Sequence, residues 1–228
     1  MDNEKTRDWI KLYSEEMPWP SEYVIRIFRG KFPKLRVPEM LKKGSTVLDI
    51  GCGSGRNMPL LYSLGYKPYG VEINQKLVDL INSNMAQLGI NGIKTKVGYN
   101  DAIPYPGESF DCILSWNSCY YLRENVKFSD HVNEFNRVLK KNGLLILSIP
   151  KKTCFIYKGS KLRFKGYYEI KNDPFMERNG MILRRFANIE DVKESFSPFF
   201  SEFIVGSIFD DCFGWDYHWH LVVCRKKE

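Results

Sequence analysis

The chain has 228 residues, 43% of them hydrophobic and 27% charged, a balance that suits one α/β domain with an elaboration or a small lid and excludes a disordered chain. No apolar run approaches the ~18 residues that a membrane span needs, and the opening MDNEKTRDWIKLYSEEM lacks the apolar stretch of a signal peptide, so a cytoplasmic protein without membrane attachment is expected. The net charge of +7 is concentrated: residues 151–185 hold ten basic side chains against three acidic ones, which accounts for the whole excess.

The expected elements follow in chain order. Residues 3–32 read as two helices around Met17-Pro18-Trp19-Pro20, since two prolines cannot sit inside a helix. Ser21 is placed to cap the second helix, with Val24, Ile27 and Phe28 at helical spacing. A regular alternation comes next. Strands are predicted at 46–50, 67–73, 93–97, 110–115 and 144–149. Helices are predicted at 56–64, at 75–88 behind an Asn74 cap, and at 125–141 before Asn142-Gly143. Such alternation implies a doubly wound parallel sheet, and continuous apolar runs such as Leu144-Leu145-Ile146-Leu147 suit strands covered on both faces. Beyond Pro150 the pattern breaks into the basic segment, then a helix at 189–196 and two strands at 203–209 and 219–224.

The strongest motif is Val47-Leu48-Asp49-Ile50-Gly51-Cys52-Gly53-Ser54-Gly55, an apolar strand that runs into a glycine loop and then a helix. Glycines let the backbone turn sharply and approach a ligand closely, and the helix N-terminus turns free N–H groups toward it. Nicotinamide enzymes also use glycine loops, but the spacing here is GxGxG rather than GxGxxG, and Asp49 stands just before it. Glu72 ends the second strand, 21 positions after Gly51, where a carboxylate can accept hydrogen bonds from both hydroxyls of a ribose.

These pieces, with YGVEIN, the IPYPGESFD stretch over 103–111 and EFNRVLKKNGLLILS over 134–148, resemble the class I SAM-dependent methyltransferase family in order and spacing. The resemblance covers roughly residues 44–150. It implies a Rossmann-like α/β fold, doubly wound and seven-stranded, mostly parallel with an antiparallel last hairpin. The implied cofactor is S-adenosyl-L-methionine (SAM). Its methionine end would lie on Gly51, Cys52 and Gly53, with Asp49 holding the amino group or ordering the loop. Glu72 would bind the ribose and Ile73 would pack against the adenine. Trp116 and Asn117 would border the methyl-transfer site. Relatives often carry Gly-Asp-Ala where this chain reads Gly98-Tyr99-Asn100-Asp101-Ala102, so Asn100 and Asp101 are the candidate adenine contacts, against a solvated loop acid at Asp101.

The resemblance divides the chain into an N-terminal helical lid or cap over 1–43 and a SAM-binding methyltransferase domain over 44–228, with a basic, aromatic insertion at about 151–188. In the N-terminal part Tyr13, Trp19 and Arg26 are candidates to close over SAM, with Arg26 or Arg56 pairing its carboxylate; the alternative is a helix simply packed on the sheet. Methyl transfer needs alignment and exclusion of water more than a catalyst. Where the acceptor must lose a proton, Tyr121 is the candidate base, against a core or rim tyrosine.

The basic segment, interleaved with Phe155, Tyr157, Phe164, Tyr167, Tyr168, Phe175 and Phe186, suits an anionic small-molecule acceptor. Its composition also serves RNA, by phosphate contacts and stacking, or an ordinary solvated hairpin. Against nucleic acid, the fourth strand ends Ser115-Trp116-Asn117-Ser118 and not in an Asn-Pro-Pro-Tyr type motif. A methyltransferase for RNA or protein and a non-catalytic SAM-binding subunit stay as alternatives. No metal is expected. Cys52, Cys112, Cys119, Cys154, Cys212 and Cys224 form no CxxC pair and read as reduced core thiols, and His218 and His220 share a strand face with no third ligand at telling distance.

Overall fold

The computed structural model describes residues 19–228. The first of the two expected N-terminal helices, and Tyr13 with it, lie outside the described residues.

A seven-stranded sheet is built from β1 (Thr46–Ile50), β2 (Lys67–Glu72), β3 (Lys94–Val97), β4 (Phe110–Ser115), β6 (Leu139–Pro150), β10 (Phe200–Cys212) and β11 (Trp215–Lys226). A second, four-stranded sheet holds β5 (Tyr121–Leu122), β7 (Lys161–Phe164), β8 (Tyr167–Glu169) and β9 (Ile182–Arg184). The large sheet runs β10-β11-β6-β4-β1-β2-β3. Its β3-to-β6 part is parallel, and β11 joins β6 and β10 antiparallel, the expected late hairpin. The winding reverses between β1 and β4, and a crevice opens outside the carboxyl ends of strands at such a point.

Alternate residues of each central strand enter different cores. Leu48, Ile113, Leu145 and Leu147 face one, packed with Phe128, Val132 and Phe135 of α5 (Phe128–Val138) and Val192 and Phe196 of α6 (Ile189–Phe196). Val47, Cys112, Leu114, Leu144 and Ile146 face the other. There Val24, Ile27 and Phe28 of α1 (Glu22–Arg29) cover the sheet, joined by Val37 of α2 (Val37–Met40) and Leu61 of α3 (Met58–Ser63). Both faces being covered is why these strands are continuously apolar; burying side chains of this size contributes about 1.5–3 kcal/mol each. α4 (Gln75–Gln87) starts at Asn74, whose side chain accepts the Leu77 N–H at 3.0 Å, as its capping role predicts. Ser21 occupies the cap position of α1 without a side-chain bond; its backbone N–H donates instead to Asn57 Oδ1 at 3.1 Å.

Several boundaries differ from the sequence expectation. The helix expected to reach residue 141 ends at Val138, and β6 starts at Leu139 rather than 144. Leu139 pairs with Phe110, and Lys140 binds Asp111 at 2.8 Å, so tertiary contacts pull that stretch into the sheet. The last two strands are longer than predicted because their pairing continues into the hairpin tip. Arg56 stands ahead of α3 rather than inside it.

The insertion at 151–188 supplies three of the four strands of the second sheet, and much of its charge turns out to be paired. Arg163 and Lys171 both hold Glu169, Arg184 holds Asp191, and Arg185 lies 3.5 Å over the Tyr168 ring. Arg178 bonds Asp173, a carboxylate with no exposed side-chain surface. Lys152, Lys158, Lys161 and Lys165 of the segment are exposed, as are Arg163 and Lys171, which are paired. None of the described helices is long and apolar enough to cross a membrane. The five cysteines whose side chains are described are free and buried.

Candidate functional site

The glycine loop leaves β1 at the carboxyl edge of the sheet and bends over the end of β2. Gly51 and Cys52 donate their N–H groups to Val71 O at 2.9 and 3.2 Å. Gly51, Gly53 and Gly55 all have positive φ, a region costly to side-chain-bearing residues. A Cβ on Gly51 would lie 2.5 Å from Ser118 Cβ. Ser118 is itself fixed, donating to Ile50 O at 2.6 Å and paired with Ser115 Oγ at 2.7 Å. The loop after β4 thus clamps the end of β1 and leaves room only for glycine.

Glu72 sits under the loop, 5% exposed. Its two oxygens accept the N–H groups of Gly53 at 2.8 Å and Ile73 at 2.7 Å. A carboxylate offers about four acceptor positions, so bonds to a ligand's hydroxyls are still available. Burial raises the Glu72 pKa, against the lowering by the two backbone donors. Asp49 is buried deeper, at 1% exposure, with Asn57 Nδ2 at 3.5 Å. Burial pushes its pKa up to about 7, opposed by Asn57 and Arg56 and reinforced by Glu72. A buried, half-ionised carboxylate is poised to be charged by a cation.

Around the neighbouring loop the candidates separate. Asn100 Nδ2 donates to Ser118 O at 3.1 Å, while its Oδ1 is buried without a partner among the described residues. That orphan acceptor fits an amino donor such as the one an adenine carries. Asp101 is engaged elsewhere: its carboxylate pairs with Arg123, which lies 4.0 Å over the Tyr99 ring. Trp116 is buried in the core, its Nε1 also without a partner among the described residues. Asn117 has a φ of +58°, and both its N–H and its Oδ1 bond Ser148 Oγ at 2.7 Å.

Tyr121 lies in β5, where its hydroxyl accepts a hydrogen bond from Arg178 Nε at 2.8 Å. Burial raises its pKa despite that guanidinium. Its phenol is thereby directed at the insertion. Arg26 is on the exposed face of α1, where it bonds Glu22 at 2.6 Å. His131 is buried, with Nδ1 at 2.8 Å from Cys119 O. His218 meets Thr153 and Asp211 at the hairpin, and Asp216 completes a group whose ligand-type atoms lie within 4.8 Å. The register of β10 on β11 brings these acids to His218, which sequence spacing did not reveal. His220 lies apart; burial holds it neutral, with a pKa lowered to about 4.

Three participants were missed in the sequence. Ser118, Ser148 and Tyr217 carry no motif. Tyr217 lies near the start of β11, whose antiparallel course puts that start at the ligand edge of the sheet; there the phenol lies beside Asn117, Arg56 and Tyr23.

A doubly wound sheet with a reversal at β1/β4, a GxGxG loop there and a buried acid at the end of β2 is the class I SAM-dependent methyltransferase arrangement. Residues 48–147 match the family model described as methyltransferase domain, so the chain contains such a domain, and its cofactor is SAM. The chain is similar to an uncharacterized methyltransferase of Bacillus subtilis, 32% identical over 109 residues, 44% of this chain and 39% of that one. It is also similar to the ubiquinone biosynthesis O-methyltransferase of Pelagibacter ubique, 28% identical over 134 residues, 54% of this chain and 50% of that one. It therefore spans half or less of the length of these two relatives. Among solved structures, a SAM-dependent methyltransferase of Methanosarcina mazei superposes with a TM-score of 0.68 at 21% identity, covering 86% of this chain and 98% of that one. The fold extends to a [4+2]-cyclase, with a TM-score of 0.63 at 17% identity, covering 95% of this chain and 80% of that one. Fold alone does not fix the reaction.

Proposed function

We propose that the protein transfers the methyl group of SAM to a small-molecule acceptor carrying an anionic group. The observation that carries this reading is the glycine loop clamped by Ser118 over the buried Glu72, with Asn100 Oδ1 left without a partner among the described residues. Glu72 would hold the ribose, Asn100 the adenine amine, and Ile73 its flat face. The glycine loop over 51–53, whose backbone lets a ligand approach closely, would hold the methionine end, with Asp49 facing the ammonium. Bound SAM supplies a methyl group on a cationic sulfur that departs as a neutral thioether. The chain's own task is then to align the acceptor and keep water out. The name of the Pelagibacter relative, an O-methyltransferase of ubiquinone biosynthesis, supports a small-molecule acceptor. The exposed lysines at 152, 158, 161 and 165 support the anionic one.

Calorimetric titration with SAM, S-adenosylhomocysteine and NAD tests the cofactor half. Both adenosyl ligands should bind and NAD should not; binding of NAD alone would overturn the reading. Glu72→Gln keeps the shape of the side chain but replaces a charged acceptor by a neutral one. It is expected to weaken SAM about tenfold, one charge-assisted hydrogen bond's worth. Unchanged affinity in a folded variant would remove Glu72 from the ribose site.

A further inference from the structure

The turn that carries the glycine loop into α3 ends on Asn57, which is 4% exposed and occupies the cap position of that helix. A side chain there ordinarily accepts from its own helix, but α3 has no side-chain cap bond. The Asn57 amide is used in two other directions. Its Nδ2 donates to Asp49 Oδ2 at 3.5 Å, and its Oδ1 accepts the backbone N–H of Ser21 at 3.1 Å. The partners fix which way the amide points: a backbone N–H only donates, so Oδ1 faces Ser21 and Nδ2 faces the carboxylate. One flat, rigid group thus joins the acid under the glycine loop to the residue on which α1 begins, 36 positions earlier.

The Ser21 end of this link is the wall of a pocket. Residues 19–23, with Arg56, Asp210 and Tyr217, line a cavity of about 410 Å3, within the about 300–1,000 Å3 of small-molecule sites. The body of α1 is held by the core through Val24, Ile27 and Phe28. Its entry is held by the Asn57 bond. The Asp49 end is softer. A bond of 3.5 Å is at the long limit for a hydrogen bond, and burial leaves Asp49 only half-ionised at neutral pH, with a pKa of about 7. An ionised carboxylate accepts more strongly and draws its donor closer. The charge on Asp49 therefore sets how firmly Asn57 is held, and with it the Ser21 N–H.

We propose that Asn57 is a positioning residue through which the ammonium end of the cofactor fixes the entry of α1, so that the pocket beside the loop takes its final shape only after the cofactor is bound. The proposal rests on the methyltransferase reading above, with Asp49 facing the ammonium. That ammonium keeps the carboxylate ionised, the carboxylate draws in Nδ2, and the amide so oriented holds Oδ1 on the Ser21 N–H. Arg56 and Glu72 also act on Asp49, the first favouring its charge and the second opposing it.

Amide hydrogen exchange read residue by residue by NMR tests the link, with S-adenosylhomocysteine and 5′-methylthioadenosine as saturating probes. The two share adenine and ribose, and only the first has an amino-acid end. S-adenosylhomocysteine should slow exchange at the Ser21 amide about tenfold, the worth of one hydrogen bond. The second probe should bind and leave that amide unchanged. The Asp191 amide, which donates to Asn188 Oδ1 at 2.9 Å in the cap of α6, should respond to neither. In Asn57→Ala the Ser21 amide should exchange fast with or without ligand. Asn57→Asp keeps an acceptor for Ser21 and loses the donor to Asp49, so its Ser21 amide should be protected already and gain nothing from ligand. In both variants the pH at which S-adenosylhomocysteine affinity levels off should move up, because a donor that favours the Asp49 carboxylate is gone; a residue that only packs would not move it. Equal protection of Ser21 by the two probes, or no protection by bound S-adenosylhomocysteine, would overturn the proposal and leave the methyltransferase reading standing. An unmoved pH profile in both folded variants would do the same. Failure of both probes to bind would overturn that reading and the link with it.

Discussion

Gly51→Ala is expected to lower the melting temperature by about 5–15 °C and to weaken SAM at least tenfold. Two costs add. The φ of +66° at Gly51 penalises any Cβ by roughly 1–2 kcal/mol. The new methyl would also sit 2.5 Å from Ser118 Cβ and 3.0 Å from its Oγ, and forced overpacking costs about 1–3 kcal/mol. Ser118 has no easy retreat, because moving it breaks its bonds to Ile50 O and Ser115 Oγ. Gly89→Ala isolates the two costs: its φ is +67°, but nothing lies within 4 Å of the added Cβ. That variant should lose only the backbone part, about 1–2 kcal/mol. Equal melting temperatures for the two variants would show that the clamp has slack and that the β4 loop does not set the shape of the glycine loop.

SAM affinity should rise about tenfold per pH unit from about pH 5 to pH 7, then peak before the ligand's own amine deprotonates near pH 8. The group responsible is Asp49, whose pKa burial pushes up to about 7. Folding therefore favours its protonated form. For the protein without ligand, the contribution of this group to stability is greatest below about pH 4, the unfolded value, and is lost progressively as pH rises toward 7. A ligand ammonium beside Asp49 selects the carboxylate, so binding releases a proton below pH 7 and strengthens with pH. Asp49→Asn should bind more weakly at pH 7 and lose the slope. Calorimetric titration in buffers of different ionisation enthalpy reads the released proton directly. A flat profile in the wild type would detach Asp49 from the ammonium.

Local signals made part of the site legible. An apolar strand ending in GxGxG must turn sharply at the sheet edge, so Gly51 and Gly53 were readable as ligand-facing from their order alone. Glu72 was readable because a strand that follows one helix must return beside the first, which brings its last residue next to the glycine loop. Asn74 could be read as a cap for the same local reason. Asp101, Arg26 and Tyr121 were harder. Each has a polar side chain in a suggestive place, but Arg123, Glu22 and Arg178 respectively engage them. Two of those partners lie 22 and 57 positions away, and no periodicity reports pairing at such range.

By itself, then, the sequence determined the doubly wound core, the cofactor loop and the acid beneath it, because each depends on backbone geometry and on neighbours within one strand–loop–helix unit. Only the tertiary structure decided the rest. It clamped Gly51 with Ser118, neutralised much of the basic insertion, and folded that insertion into a second sheet. It also brought Tyr217 to Asn117, 100 positions earlier in the chain. The physical reason is the antiparallel pairing of β11 on β6, which turns the start of a C-terminal strand toward the edge where the parallel strands end.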